Sequence, residues 1–173
     1  ISCRHYTRPG FTFERLSKLK GQVRRLLNAR KNPADAVIAL TDVYTGTDDF
    51  TDAADAKAKM RGWVGDEPHF YPHAAQHDFE AWLLPYWDTI KQLAGSDRSP
   101  ISGKPEQVNH DQPPAHRLRE TFRLGKKGRH YVKTRDAGRI LRDQDLLVSI
   151  DACPELKALV NTILDLCGGT LIE

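Results

Sequence analysis

The spacing of apolar residues in the first half of the chain alternates between a helical and a strand-like period. Between Thr12 and Lys31, leucine, valine and phenylalanine recur every three or four positions with lysines and arginines between them, which predicts an amphipathic helix. A second helical pattern at Thr51–Val64 lies between two short apolar runs, which predict strands. The predicted strands are Ile1–Thr7, the run that ends at Asp42, and His69–Ala75.

A helical pattern with one long interruption fills the second half of the chain. We expect a short helix from His77 that breaks at Pro85, and a second helical piece that ends near Gly95. The segment Ser96–Pro114 is rich in serine, glycine, proline, asparagine and aspartate, so it is expected to be a long loop with a functional role. The helices predicted after this loop are Ala115–Arg123, Thr134–Leu147 and Pro154–Leu166, the last of them capped by Asp151.

This order of elements predicts an α/β fold, in which a small parallel sheet flanked by helices is followed by a helical C-terminal part. A length of 173 residues, 39% of them hydrophobic, fits one globular domain with a real core. Within this single domain, residues 1–95 would form the sheet and its flanking helices, residues 96–114 the loop, and residues 115–173 the helical part.

Composition and charge narrow the class of protein further. No apolar segment is long enough to span a membrane, so a membrane partner is not expected. Three cysteines at unrelated spacings, Cys3, Cys153 and Cys167, support neither a disulfide framework nor a CxxC metal site, which makes the reducing cytoplasm the natural location. The net charge of +3 and the pI near 8.8 permit a nucleic-acid partner without arguing for one.

An aspartate stands where the apolar run Val37–Leu40 ends. The run is continuous, as in a strand that is covered on both faces in a parallel sheet, and it stops at Asp42. Ligand sites of open parallel sheets lie beyond the carboxyl ends of strands, and hard cations prefer oxygen ligands. Asp42, with Asp48 and Asp49 of the following loop, is therefore a candidate site for Mg²⁺ or Mn²⁺. The alternative is that Asp42 caps a turn and that Asp48, Asp49 or Asp52 caps the next helix. The metal-binding role is favoured for Asp42, whereas capping or solvation is favoured for each of the other three taken singly.

A second acidic pair, Asp78 and Glu80, follows the predicted strand His69–Ala75. On a helix these two side chains point to different faces, so at most one of them is expected to bind a metal directly. The neighbouring Phe79 and Trp82 form the apolar side, which favours Asp78 as the helix cap and leaves Glu80 as the candidate ligand. The alternative for Glu80 is a solvated glutamate that the helix dipole favours.

A glycine-flanked basic turn, GKKGRHYVKTR, precedes the helix predicted at Thr134. Most charge runs are merely solvated faces, but a cationic turn before a helix is a candidate phosphate contact surface, and His130 and Tyr131 could stack on a base. Lys133 lies beside Tyr131 at the expected helix start, where a lysine could stabilise a transferring phosphoryl group. The candidate nucleic-acid-binding residues are Lys126, Lys127, Arg129 and Arg135.

Four segments in this order, ALTDVY, HDFEAWLL, VNHDQPPAHRL and HYVKT, resemble the bacterial domain-of-unknown-function 4276 family over nearly the whole chain. That family looks Toprim-like. The resemblance implies a compact parallel sheet flanked by helices, with an acidic Mg²⁺ site like those of topoisomerases, primases and overcoming-lysogenization-type nucleases. It also implies an ABC-type ATPase partner, because members of the family often lie beside an ATPase gene of this type in defence loci.

The Toprim resemblance assigns roles to the acidic residues. Asp42 matches the first aspartate of the Toprim Asp-x-Asp element, and Tyr44 stands where the second aspartate would be. This departure leaves one oxygen ligand to be supplied from elsewhere in the chain. The candidates for it are Asp48, Asp49 and Glu80.

Other parts of the resemblance concern a lysine, a loop motif and the start of the chain. Lys133 resembles the lysine that some Toprim nucleases place near the scissile phosphate. Asn109, Pro113 and Arg117 match a family motif to which no chemistry is assigned. Toprim proteins open with a strand and a Glu-Gly turn, and neither precedes Ile1, so the chain is expected to lack this N-terminal element.

The patterns and the resemblance together predict a Mg²⁺- or Mn²⁺-dependent nuclease or phosphodiesterase, acting as the effector of an ATPase-coupled bacterial system of phage defence. In this hypothesis Asp42 and Glu80 hold the metal and Lys133 steadies the phosphate. The second hypothesis is a non-catalytic binding or regulatory subunit with a degenerate metal site, which Tyr44 allows. A third, an aspartate-nucleophile phosphatase, is disfavoured because Tyr44 replaces the general acid that this chemistry needs.

Overall fold

The structure is a computed structural model that describes residues 13–44, 49–108 and 112–173. Of the residues predicted above, Asp48, Asn109 and the strand expected at Ile1–Thr7 lie outside this range. The described elements form a mixed α/β fold with a two-stranded parallel sheet. In chain order they are α1 (Phe13–Leu27), β1 (Val37–Asp42), α2 (Ala53–Val64), β2 (Phe70–Ala75), a 3₁₀ helix (Phe79–Tyr86), α3 (Trp87–Ala94), α4 (Pro114–Leu124), α5 (Lys133–Ile140), α6 (Leu146–Ala152) and α7 (Pro154–Leu166).

Contacts divide the chain into two compact units. Unit 1 contains the described residues up to Ala74 together with Asn161–Glu173, and unit 2 contains those of Ala75–Val160. The single domain predicted for residues 1–173 stays a prediction. None of the helices in the described parts of the chain combines the length and the apolarity that crossing a bilayer requires.

Unit 1 is built on the parallel pair β1 and β2, which helix α2 connects as parallel strands require. The predicted strand ending at Asp42 and the predicted helix at Thr51–Val64 are confirmed, and the side chain of Asp52 caps the helix by accepting the Asp55 N–H at 2.8 Å. The buried side chains that join α1, α2 and β2 are Val23, Met60, Val64 and Phe70.

Two sequence expectations for unit 1 are wrong in detail. Strand β1 is not covered on both faces, because its side chains are only half-buried and Leu40 is 37% exposed. Helix α1 ends at Leu27 and not at Lys31, since the Asn28 side chain donates to the Arg24 carbonyl oxygen at 3.0 Å and Asn32 takes a left-handed backbone conformation with φ of +54°.

Unit 2 packs the 3₁₀ helix against α3, α4, α5 and α6 around one apolar core. The predicted break at Pro85 is observed as a change of helix type, because the tight 3₁₀ turn contains this proline and α3 begins only at Trp87. Helix α3 ends at Ala94, close to the predicted end near Gly95, and Gly95 takes a left-handed conformation. The most deeply buried core side chains are Leu83, Ile90, Leu118, Phe122 and Ile140.

The single helix predicted at Thr134–Leu147 is wrong, because the structure has two helices there. Helix α5 ends at Ile140, Asp143 follows with φ of +60°, and α6 begins at Leu146. The carboxylate of Asp145 accepts the Leu147 N–H at 3.0 Å, so this aspartate starts a new helix where the apolar spacing alone would have continued the old one.

The predicted loop at 96–114 is present in its described residues 96–108 and 112–113, and a buried glutamate anchors it. Glu106 accepts a hydrogen bond from Trp82 Nε1 at 2.8 Å and another from the Glu155 N–H at 3.0 Å. Burial raises the pKa of Glu106, although these two hydrogen bonds act against the rise. Asp151 lies inside α6, so the prediction that it caps α7 is wrong and Glu106 satisfies this helix end instead.

A buried thiol lies between the last two helices of unit 2. Cys153 follows α6, precedes α7 and has no exposed surface. Burial, with a further contribution from the charge of Glu106, raises the pKa of the Cys153 thiol to about 12. The thiol is therefore protonated and unreactive at neutral pH while unit 2 is folded.

Gly125 is required by close packing of the ends of α3 and α4. A Cβ atom at this position would lie 2.9 Å from the carbonyl carbon of Ala94 and closer still to its oxygen. We expect Gly125→Ala to lower the free energy of unfolding by about 1–3 kcal/mol, because backbone must move to admit the methyl group. Gly138→Ala in α5 is the control, since nothing lies within 4 Å of its Cβ position.

Urea denaturation of the two glycine variants measures this difference. The control should gain up to about 1 kcal/mol, because alanine has the higher helix propensity. Equal effects of the two substitutions would show that the close approach to Ala94 is not what excludes a side chain at Gly125.

Candidate active site

Two neighbouring side chains, Tyr131 and Lys133, contact one buried carboxylate in unit 2. Glu80, at the start of the 3₁₀ helix, is only 2% exposed. Its Oε1 accepts a hydrogen bond from the Tyr131 hydroxyl at 3.3 Å, and its Oε2 lies 3.1 Å from Lys133 Nζ. The side chains of Glu80, Tyr131 and Lys133 are called the Glu80 cluster below. A buried charge is costly unless it is paired, and this cluster supplies the pair.

The backbone that carries Glu80 has an unusual conformation just before the cluster. His77 has a positive φ of +68°, which is rare for a residue with a side chain, and it is 7% exposed. Burial lowers the pKa of His77, although a hydrogen bond to the backbone of Glu106 acts against the fall. The turn at His77 ends β2 and leads into the 3₁₀ helix that begins at Phe79.

Asp78 stabilises a different helix from the one that it precedes. It occupies the capping position of the 3₁₀ helix, but its side chain makes no capping hydrogen bond there. Its Oδ2 instead accepts the N–H of Ala115 in the first turn of α4 at 3.0 Å. The prediction that Asp78 caps its own helix is therefore wrong. Pro113 and Pro114 cannot donate a backbone N–H, so Ala115 offers the first donor at this helix end.

Lys133 reaches the buried carboxylate from the surface. It is the first residue of α5, and its side chain is 48% exposed while that of Glu80 is almost fully enclosed. The ammonium group also lies 5.1 Å from the ring centre of Phe79, within the range of a cation–π contact. A molecule in solvent can therefore contact Lys133 directly, whereas Glu80 is almost fully enclosed.

Tyr131 is held as a hydrogen-bond donor to Glu80. Burial raises the pKa of its hydroxyl well above the ordinary value, and the charge of Glu80 and the hydrogen bond between them raise it further. The tyrosine ring packs against Phe122 with 5.4 Å between the ring centres. The hydroxyl is therefore protonated at neutral pH, and its hydrogen bond keeps the Glu80 carboxylate oriented.

Asp136 fixes the start of α5. It has no exposed surface, and its Oδ2 accepts the Val132 N–H at 2.7 Å. Burial alone would raise the pKa of Asp136, but hydrogen bonds from Arg135, from the Val132 N–H and from Arg129 lower it below the ordinary carboxyl value. Because Val132 and Lys133 are adjacent, this charge holds the backbone from which Lys133 extends.

The four predicted nucleic-acid-binding residues divide into two groups in the structure. Arg129 and Arg135 form ion pairs with Asp136, both at 2.9 Å. Lys126 lies 3.2 Å from Asp97, and the Lys127 ammonium donates to the Gln92 carbonyl oxygen at 3.0 Å. The two arginines therefore belong to the start of α5, while the two lysines lie at the end of α3.

The acidic residues predicted for unit 1 are placed as follows. Asp42 is half-buried and is the last residue of β1. Tyr44, two positions later, is 39% exposed. Asp49 is half-buried, and its carbonyl oxygen accepts a hydrogen bond from Lys59 Nζ at 2.8 Å. Asp42 and Glu80 belong to different units, so the prediction that they share a metal site stays a prediction.

Sequence patterns missed part of the site. Asp136 and Arg139, 3.9 Å apart, were not singled out, although an aspartate just inside a helix start is a familiar capping signal. Arg117 is half-buried in α4, and its buried Nε donates no hydrogen bond within the described residues. No group of three or more histidine, cysteine, aspartate or glutamate side chains in the described ranges is arranged to hold a metal ion.

Comparison with known proteins gives one match. A family model with the description "Domain of unknown function (DUF4276)" matches residues 2–164. Neither a curated protein nor a solved structure matches the chain.

Proposed function

The chain belongs to the DUF4276 family. We propose that it is a metal-dependent phosphodiesterase that acts on nucleic acid, with the Glu80 cluster in its active site. The observation that carries the proposal is an enclosed carboxylate, Glu80, paired at 3.1 Å with a lysine that is half-exposed to solvent. Buried charge of this kind is concentrated at functional sites. The parallel β1–α2–β2 unit supports the further proposal that the fold is Toprim-like.

The chemistry of the buried carboxylates suits the metal ion that we propose. Mg²⁺ takes oxygen ligands, keeps several of its waters and is commonly held by one or two carboxylates together with substrate phosphate. Glu80 is 2% exposed, and its carboxylate would hold the ion. Asp78, which is 5% exposed, already accepts the Ala115 N–H through its Oδ2. When bound, Mg²⁺ or Mn²⁺ supplies an activated water and stabilises charge on the phosphate.

The remaining groups of the Glu80 cluster bind and orient. Lys133 would contact a nonbridging oxygen of the phosphate, because its side chain is 48% exposed to solvent while its ammonium group lies beside Glu80. Tyr131 stays protonated, and its hydrogen bond keeps the Glu80 carboxylate in one orientation. Asp136 holds the backbone at Val132 and thereby the first turn of α5 from which Lys133 extends.

Replacement of Lys133 tests the proposal directly. Lys133→Met keeps an unbranched side chain of nearly the same length and removes its charge, and we expect Mn²⁺-dependent cleavage of DNA or RNA to slow by about 10²- to 10³-fold. Lys104→Met is the matched control, since Lys104 is an exposed lysine of the loop before α4 in the same unit. The measurement is the initial rate on labelled single-stranded and duplex oligonucleotides.

The outcomes of this assay separate the possibilities. Loss of rate in Lys133→Met alone supports the proposal. A Lys133→Met variant as fast as the wild type would exclude Lys133 from the reaction, and a wild type that cleaves neither DNA nor RNA with either metal would refute the phosphodiesterase activity.

A second candidate function is a non-catalytic binding or regulatory subunit whose metal site is degenerate. The observation that favours it is that protein groups, Tyr131 and Lys133, already contact both oxygens of Glu80, as in a purely structural ion pair. Titration calorimetry of the full chain with Mg²⁺ and Mn²⁺ discriminates the two functions, because the subunit would bind neither ion. An ABC-type ATPase is the partner that we propose for either function, on family resemblance alone.

A further inference from the structure

We infer that three arginines around Asp136 form a surface that binds the sugar–phosphate backbone of a nucleic acid. This inference rests on the proposed function, for which it names the substrate-binding surface. The residues are Arg129, Arg135 and Arg139, and they are called the arginine cluster below. Their guanidinium groups surround a single buried carboxylate, so three positive charges face one negative charge.

The hydrogen bonds of Asp136 show that its carboxylate is fully used. Its Oδ1 accepts from Arg129 Nη1 at 2.9 Å and from Arg135 Nε at 3.0 Å. Its Oδ2 accepts from the Val132 N–H at 2.7 Å and from Arg135 Nη2 at 2.9 Å. Arg139 Nη1 lies 3.9 Å away, too far for a hydrogen bond. The guanidinium donors therefore outnumber the acceptors that Asp136 provides, and apart from the bond of Arg135 Nη2 to the His130 carbonyl oxygen at 3.1 Å the solvent-facing donors can bind an anion.

The guanidinium groups of the arginine cluster are exposed enough to contact a molecule in solvent. The side chains of Arg129, Arg135 and Arg139 are 23%, 44% and 49% exposed, whereas Asp136 has no exposed surface. Arg135 and Arg139 are four residues apart on α5, so they lie on one face of this helix. Because hydrogen bonds to the buried carboxylate fix Arg129 and Arg135, less side-chain entropy is lost when these two bind a ligand.

Nucleic acid is the polyanion that this surface fits best. The planar guanidinium fork matches the oxygens of a phosphate, and contact with phosphates carries no sequence preference by itself. Lys133 of the Glu80 cluster begins the same helix but lies two positions before Arg135, so it points to a different face, and the arginine cluster would bind backbone beyond the site at which we propose that the phosphodiester is cleaved. Lys126 and Lys127 lie outside this surface, since they contact Asp97 and the end of α3.

Binding without cleavage tests the inference. The wild type in EDTA is titrated into fluorescein-labelled single-stranded and duplex oligonucleotides, of several sequences, at a series of salt concentrations. We expect Arg139→Gln to weaken binding several-fold for every sequence, and to reduce the slope of log K against log salt concentration by about one. Arg139 is chosen because its removal leaves the four hydrogen bonds of Asp136 intact. Arg123→Gln, an exposed arginine at the end of α4, is the matched control.

The result that overturns the inference is an unchanged salt slope in Arg139→Gln, or an equal loss in Arg123→Gln. The inference is also overturned if polyglutamate displaces the labelled oligonucleotide as effectively as an unlabelled oligonucleotide of equal charge does. The surface would then fit an acidic protein equally well. Salt-dependent binding that needs Arg139, in a protein that cleaves nothing when Mn²⁺ is added, would refute the proposed activity and leave the arginine cluster supported.

Discussion

Glu80→Gln is expected to slow Mn²⁺-dependent phosphodiester cleavage by a factor of about 10² to 10⁴, the largest loss that we predict for a single substitution. Glutamine keeps the shape of the side chain and an oxygen that can accept the hydrogen bond from Tyr131. It removes the negative charge that pairs with Lys133 and that would hold the metal ion. The loss should therefore appear in activity more than in folding.

The control for Glu80→Gln is Glu120→Gln, the same chemical change on α4 of unit 2. Glu120 pairs with Arg98 at 2.8 Å and is 31% exposed, so its removal affects a surface ion pair of small energetic value. Initial rates and urea denaturation are measured on both variants. If Glu80→Gln cleaves as fast as the wild type, Glu80 has no part in the reaction. If Glu80→Gln lowers the stability of the protein without lowering the cleavage rate, the ion pair between Glu80 and Lys133 is structural.

The largest expected effect on stability comes from Asp136→Asn. This substitution leaves the charges of Arg129 and Arg135 without their carboxylate and places an NH₂ group against their donors. Breaking a buried ion pair usually costs 3–5 kcal/mol, and we expect about 3 kcal/mol here because both arginines reach solvent. Asp143→Asn is the matched control, since Asp143 is exposed and asparagine tolerates its φ of +60°.

The contribution of Asp136 to the free energy of unfolding should decrease as the pH falls. Its hydrogen bonds lower the pKa of the carboxyl in the folded state, so the unfolded chain takes up the proton first as pH falls. The stabilisation is therefore complete above the ordinary carboxyl pKa of 3.8 and is lost as the pH falls below it. Urea titrations of wild type and Asp136→Asn across this range should converge at low pH. A constant difference would show that the carboxylate charge is not the cause.

Local signals made most of the elements predictable from sequence. Pro154 and the helical spacing after it define α7 with the observed ends, and Gly95 ends α3 because glycine adopts the left-handed conformation readily. The apolar run before Asp42 likewise predicts β1. In each case a residue within one turn of the boundary determines the backbone, so no contact from elsewhere in the chain is needed.

The errors arose where a distant or competing hydrogen bond determines the structure. Asp78 caps α4, through Ala115, and Glu106 serves the start of α7, through Glu155. Both bonds join residues that lie far apart in the chain, so local spacing cannot reveal them. The break between α5 and α6 has a local cause, the cap at Asp145, but apolar residues continue at helical spacing across it and favour one helix.

In the candidate site, too, single residues were predictable from the sequence and the contacts between them were not. Sequence patterns single out Glu80 and Lys133 separately, by an acidic residue after a strand and a lysine at a helix start. The contact between them at 3.1 Å requires the 3₁₀ helix and α5 to pack together, which the sequence alone does not specify. The role of Asp136 was missed because a charged residue at a helix start is usually solvated, whereas this one is enclosed by arginines.

The rate at which the buried Cys153 thiol is modified can be used to measure how often unit 2 opens. A group with no exposed surface and a pKa of about 12 should react with a thiol reagent only during excursions that expose it. In a background with Cys3 and Cys167 changed to serine, the rate of modification would therefore measure how often this unit opens under native conditions. The same experiment with an oligonucleotide added would show whether a bound ligand makes these opening events less frequent.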